Sequence, residues 1–96
     1  MRQMASAELR MAWSRLRAAD RRVTALEERV LPSIRESVES TRSGYVAGRT
    51  DFLVLLESLT ALRDLEMERL EAVKDRATAE VEVQRVAGAR FDGRRR

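Results

Sequence analysis

Cysteine and histidine are both absent from the 96 residues. Without cysteine there is no thiol nucleophile and no disulfide framework, and either redox compartment is compatible with the chain. Without histidine the commonest general base and, with cysteine, the commonest zinc ligands are missing. The single lysine, Lys74, sits among charged neighbours, and the serines and threonines have no histidine to activate them. Enzyme activity and a bound cofactor are therefore not expected. Glu66, Glu68 and nearby acids read as a solvated face, and Met1, Met4, Met11 and Met67 are too scattered for a soft-metal site.

Other shortages shape the fold. Aromatics are only 4% of the chain, and β-branched residues do not alternate with polar ones, so strands are poorly supported. No apolar run approaches the ~20 residues of a membrane-spanning helix. Met1–Ser6 leads directly into a charged helical pattern and carries no leader signature, so a targeting signal would have to lie outside these residues. There is one proline, Pro32, and the first glycine is Gly44.

What remains is rich in Ala, Leu, Glu and Arg, with 36% charged residues, the mixture of long helices and coiled coils. Turn signals cluster once near the centre, at Gly44 and Gly48, between two helical stretches of similar length. The predicted fold is all-α: one long antiparallel two-helix coiled-coil hairpin, with arms over about 4–46 and 51–87 and residues 88–96 as a frayed basic tail after a stop at Gly88. Arg94-Arg95-Arg96 reads as a solvated end.

The first arm carries the stripe Leu9, Ala12, Leu16, Ala19, Val23, Leu26 and Val30 at heptad spacing. Trp13 is expected beside it. The spacing changes after Val30, continuing Ile34, Val38, Thr41 and Tyr45, and a local unwinding is expected there. Pro32 coincides with the change and predicts a bend near 28–32; alternatively it starts a second helix, with Leu31 pushed out of the α region. The second arm offers Phe52, Leu53, Leu55, Leu56, Leu59, Leu62, Leu65, Leu70, Val73, Ala77 and Val81. Leu55, Leu59 and Leu62 are expected to face the first arm, and the remaining apolar width implies a second buried surface. Folding at Gly48 pairs positions whose numbers sum to 96 or 97, so that Leu26 meets Leu70 and Val23 meets Val73. Thr50 is the expected N-cap of the second arm.

Charge is uneven. Residues 1–50 carry a net +4, residues 51–87 a net −4, and residues 88–96 a net +3. Opposite arms favour side-by-side antiparallel packing, but each exposed pair is worth only roughly 0.2–1 kcal/mol, so apolar contacts must dominate. The acidic second arm argues against nucleic-acid binding. At the centre Gly48 suits a left-handed helix cap, Gly44 would loosen the turn before it, and Tyr45 can lie on Phe52 or Leu55.

The run Tyr45-x-x-Gly48-x-x-Asp51-Phe52-Leu53-x-Leu55-Leu56-Glu57-Ser58, with Leu31-Pro32 upstream, resembles the second-repeat tip of TolC-type outer-membrane efflux proteins. The Ala- and Arg-rich style is similar to the heavy-metal branch, of the CzcC and CusC type. The resemblance spans roughly residues 5–90. It implies the second periplasmic helical hairpin of a channel subunit, a fragment of a larger homotrimeric protein, forming tunnel wall beside other hairpins. Tyr45, Gly48, Arg49, Thr50 and Asp51 would form the tip that docks a periplasmic adaptor (membrane fusion) protein in a tripartite export system. Glu57 would face the pore. Two departures stand out: Glu57-Ser58 replaces the family's Asp-Ala, and Val54 holds a place where some members carry an acid. The isolated hairpin is expected to self-associate. The competing expectation is an independent cytoplasmic helical-hairpin adaptor or scaffolding protein.

Overall fold

The computed structural model describes residues 2–94, with side chains described for residues 6–89. Among the described residues the regular elements are all helical: α1 spans Arg2–Ala25, a π-turn spans Leu26–Val30, α2 spans Leu31–Val46 and α3 spans Phe52–Arg94. The chain is an all-α helical hairpin, turning once between α2 and α3. By internal contacts it divides into two compact units, residues 24–71 and residues 1–23 with 72–96.

In the unit of residues 24–71, α1 ends and the π-turn begins where the heptad pattern was expected to falter. Leu26 is buried, and the next buried residue is Leu31, five positions on; Val30 is 38% exposed. The amide of Leu31 donates to Leu26 O, the i→i+5 bond of a π-turn. One extra residue is thereby absorbed, and Leu31, not the expected Val30, enters the seam, followed by Ile34, Val38 and Thr41 at spacings of three and four. Val30 and Leu31 both keep right-handed α dihedrals. Pro32 therefore neither breaks the chain nor displaces Leu31 from the α region. It follows the π-turn directly, at the start of α2, where the bonding register of the continuous helix changes.

On α3 the inward positions of this unit are Leu55, Ser58, Leu62, Leu65 and Arg69, again three and four apart. That corrects two expectations. Leu59 (37% exposed) and Leu70 (59% exposed) lie outside the seam, and Ser58 and Arg69 stand in it. The difference is a matter of phase: apolar residues occupy several faces of this helix, so apolarity alone does not single out the inward one. The stem of Arg69 follows the seam while its guanidinium reaches Glu27 at 2.9 Å. The Ser58 hydroxyl is buried with no hydrogen-bond partner, whereas Thr41, Thr60 and Thr78 each donate to the carbonyl four residues back.

In the other unit, Ala12, Val83 and Val86 form a buried cluster on which Leu9 and Leu16 pack. The inward set of α3 here is Ala72, Arg76, Ala79, Val83 and Val86, where Ala77 and Val81 had been expected; Val81 is 63% exposed and Ala77 is exposed, while Val73 is half-buried. Trp13 flanks this stretch, 45% exposed. Asp20 pairs with Arg76 and Arg22 with Asp75, both at 3.4 Å. These pairs and Glu27–Arg69 all match the expected numerical register. The helix also runs on through Gly88 to Arg94. A lone glycine weakens a helix by only about 1 kcal/mol, too little to stop one already anchored by Val83 and Val86. Of the expected basic tail, Arg95 and Arg96 lie outside the described residues.

Candidate functional site

The tip is built from the end of α2 upward. Ala47 caps the helix at φ −80° and ψ 0°, and Gly48 follows at φ 75°, the left-handed region expected of it. The Gly48 amide donates to Tyr45 O at 3.0 Å and the Arg49 amide to Gly44 O at 2.8 Å. Together these two bonds make a Schellman closure, which satisfies carbonyls that the helix end would leave bare. The Thr50 amide adds a third bond, also to Gly44 O, at 3.1 Å.

Gly44 turns out to be essential to this closure, not a loosening residue. It is buried, and a Cβ added to it would collide with Thr50 Oγ1 and come within 3.3 Å of Thr50 Cβ. The Thr50 side chain lies over the Gly44 backbone, and a methyl group there would require that side chain to move aside. Gly48, by contrast, has open space around it; its constraint is the positive φ alone. Sequence reasoning placed Gly44 at the turn but not its packing against Thr50, because close approach is a tertiary property with no local signature.

Thr50 is not the N-cap of α3. The helix starts at Phe52, and the Asp51 carbonyl accepts its first bond from the Leu55 amide at 3.2 Å, which puts Asp51 in the cap position. Thr50, half-buried, is occupied against Gly44. The Tyr45 ring meets Phe52 with centroids 5.9 Å apart and planes tilted by 57°, a favourable arrangement that ties the two helices together beside the loop.

Of the expected tip residues, the structure thus brings Tyr45, Gly48, Arg49, Thr50 and Asp51 into one tight turn, with Tyr45, Gly48, Arg49 and Asp51 exposed. Glu57 is exposed on α3 and takes no part in the closure. Beside the turn Phe52, Leu53 and Leu56 are 46–58% exposed, and Val46 is 80% exposed. The tip therefore couples a rigid polar point to an uncovered apolar flank.

No group of acidic residues suited to hold a metal ion occurs among the described residues. In the unit of residues 1–23 and 72–96 a shallow depression is lined by Arg15, Ala19, Asp75, Thr78, Ala79 and Glu82, where two alanines leave the seam thin. Beside it the Arg85 side chain hydrogen-bonds Glu82 and holds that carboxyl below its ordinary range. Its small contribution is present at neutral pH and lost as pH falls through the lowered pKa. None of the described helices is long and apolar enough to cross a membrane.

The fold and the tip define a helical-hairpin protein whose exposed features are a closed turn and an apolar flank. No protein-family model, curated protein or solved structure matches the chain.

Proposed function

We propose that this hairpin is an assembly element: the periplasmic helical hairpin of an outer-membrane efflux channel subunit, whose tip docks an adaptor protein and whose flanks join neighbouring hairpins in a tunnel wall. The observation that carries the reading is the tip itself. Three backbone bonds close the turn at Gly44 and Tyr45, and the Tyr45–Phe52 contact locks its base, so its polar groups are held ready at little ordering cost. The motif that resembles the TolC-type tip is the same stretch, residues 45–58. The uncovered Phe52, Leu53 and Leu56 fit a hairpin that meets others on more than one side. On this reading the work is mechanical, with no catalytic step.

The test is binding of the chain to purified periplasmic adaptor proteins of tripartite exporters. Arg49→Glu, at an exposed residue that enters the closure only through its amide, keeps the backbone bonds and reverses the exposed charge; it is expected to weaken binding about tenfold, as loss of a paired interface charge does. Binding that ignores the tip, or no binding to any adaptor, overturns the reading. The reading frame upstream gives an independent check. A signal peptide followed by amphipathic strands of ~10 residues supports a channel, and a natural start at Met1 supports the free-standing cytoplasmic scaffold instead.

A further inference from the structure

The exposed side of α3 carries a pattern that complements its own reverse, with apolar residues opposite apolar ones and Arg opposite Glu. About 100° around the helix from the seam, one heptad-spaced face presents Leu59, Arg63, Glu66 and Leu70. All four are exposed, Leu59 at 37% and Leu70 at 59%, and all belong to the unit of residues 24–71. Among the described residues Arg63 and Glu66 make no ion pair within the chain. Leu59 and Leu70 lie equally far from the midpoint between Arg63 and Glu66. In the sequence the same spacing sets Leu56 against Val73 and Phe52 against Ala77, a large residue against a small one.

We infer that this face of α3 is a self-complementary docking surface for a second copy of the chain, the two α3 helices running antiparallel about a two-fold axis between residues 64 and 65. An isologous interface requires that residue i meet residue j while j meets i, and this face satisfies that requirement at each position. At the axis Arg63 of each copy meets Glu66 of the other, giving two equivalent ion pairs with opposite signs in register. On either side Leu59 meets Leu70, twice by symmetry. Three-and-four spacing on both helices is that of knobs-into-holes packing. The charged centre also sets direction: parallel helices in register would stack Arg63 on Arg63 and Glu66 on Glu66. A partner other than a second copy would place no demand for such self-complementarity on this face. The inference does not depend on the efflux-channel reading.

The charges make the test specific. Sedimentation equilibrium of the intact chain is expected to show a monomer–dimer equilibrium. Arg63→Glu alone and Glu66→Arg alone each set like charges across the axis twice, and each is expected to weaken dimerisation about tenfold. Both substitutions in one chain restore it. Mixing the two single variants favours the heterodimer over either homodimer. Helicity by circular dichroism separates these effects from misfolding, since both positions are exposed. Because the chain has no cysteine, Leu59→Cys chains mixed with Leu70→Cys chains report direction. The expected disulfide joins one variant to the other; one joining Leu59→Cys to itself marks parallel helices and overturns the proposal. So does a chain that stays monomeric at millimolar concentration, a dimer indifferent to the charge swap, or a monomer that uses Leu59 and Leu70 only to bind a different helical protein.

Discussion

Single residues decide the tip, and two glycines do so for different reasons. Gly48 supplies a left-handed dihedral, and replacing it with alanine costs about 1–2 kcal/mol of local strain. Gly44 supplies space. Gly44→Ala drives a methyl group into the Thr50 side chain, which must turn aside or push the loop away, at about 1–3 kcal/mol. The two mechanisms separate in a double-mutant cycle followed by chemical denaturation. Thr50→Ala removes the hydroxyl that the new methyl would strike, so it is expected to offset part of the Gly44→Ala loss and none of the loss from Gly48→Ala. Simple additivity in both cycles would mean that Thr50 is not what constrains Gly44. Ser58 is the opposite case, a polar residue in a seam position where nothing bonds its hydroxyl.

At the scale of elements, the π-turn reconciles two demands on the first arm. The seam needs a buried side chain after Leu26, and Leu31 fills that place only if one residue is looped into the turn. Pro32 in turn cannot donate to the ladder, and it falls directly after the π-turn, where the bonding register changes. Deleting Val30 removes the surplus residue and brings Leu31 to four positions after Leu26, but leaves the proline ring inside a continuous α-helix at a cost of ~3 kcal/mol. Deleting Val30 together with Pro32→Ala is therefore expected to leave thermal stability near that of the parent, and deleting Val30 alone to lower it clearly. If both deletions behave alike, the proline plays no part in the turn. Much of this was legible beforehand. The reversal at Gly48, the extent of the first arm, the register between arms and the irregularity around Pro32 all follow from spacing and turn residues. The identity of Leu31 as the buried residue does not, because a five-residue step is invisible to a pattern of threes and fours. On α3 the surplus of leucines hid the phase: Arg69 and Arg76 hold inward positions through their aliphatic stems, which a reading based on apolar residues passes over.

For the molecule as a whole, the question is whether charge or burial holds the hairpin. The arms carry opposite net charge, and among the described residues the ion pairs Asp20–Arg76, Arg22–Asp75 and Glu27–Arg69 join them in one register. Their side chains remain a third to three-fifths exposed, so water screens them, and together they contribute about 1–3 kcal/mol. Leu31, 1% exposed, is a single buried side chain whose truncation to alanine typically costs about 2–5 kcal/mol. Leu31→Ala alone is therefore expected to destabilise the hairpin at least as much as Asp20→Asn, Glu27→Gln and Asp75→Asn combined. Urea denaturation monitored by helicity compares the two directly, and repeating it in 1 M NaCl separates them further. High salt should erase most of the difference between the parent and the triple variant, because the surface pairs are screened, while leaving the Leu31→Ala deficit nearly intact. A triple variant that falls further than Leu31→Ala in low salt would make electrostatics the principal bond between the arms. The opposite charges would then hold the fold together, whereas burial of this size leaves them only the task of aligning it.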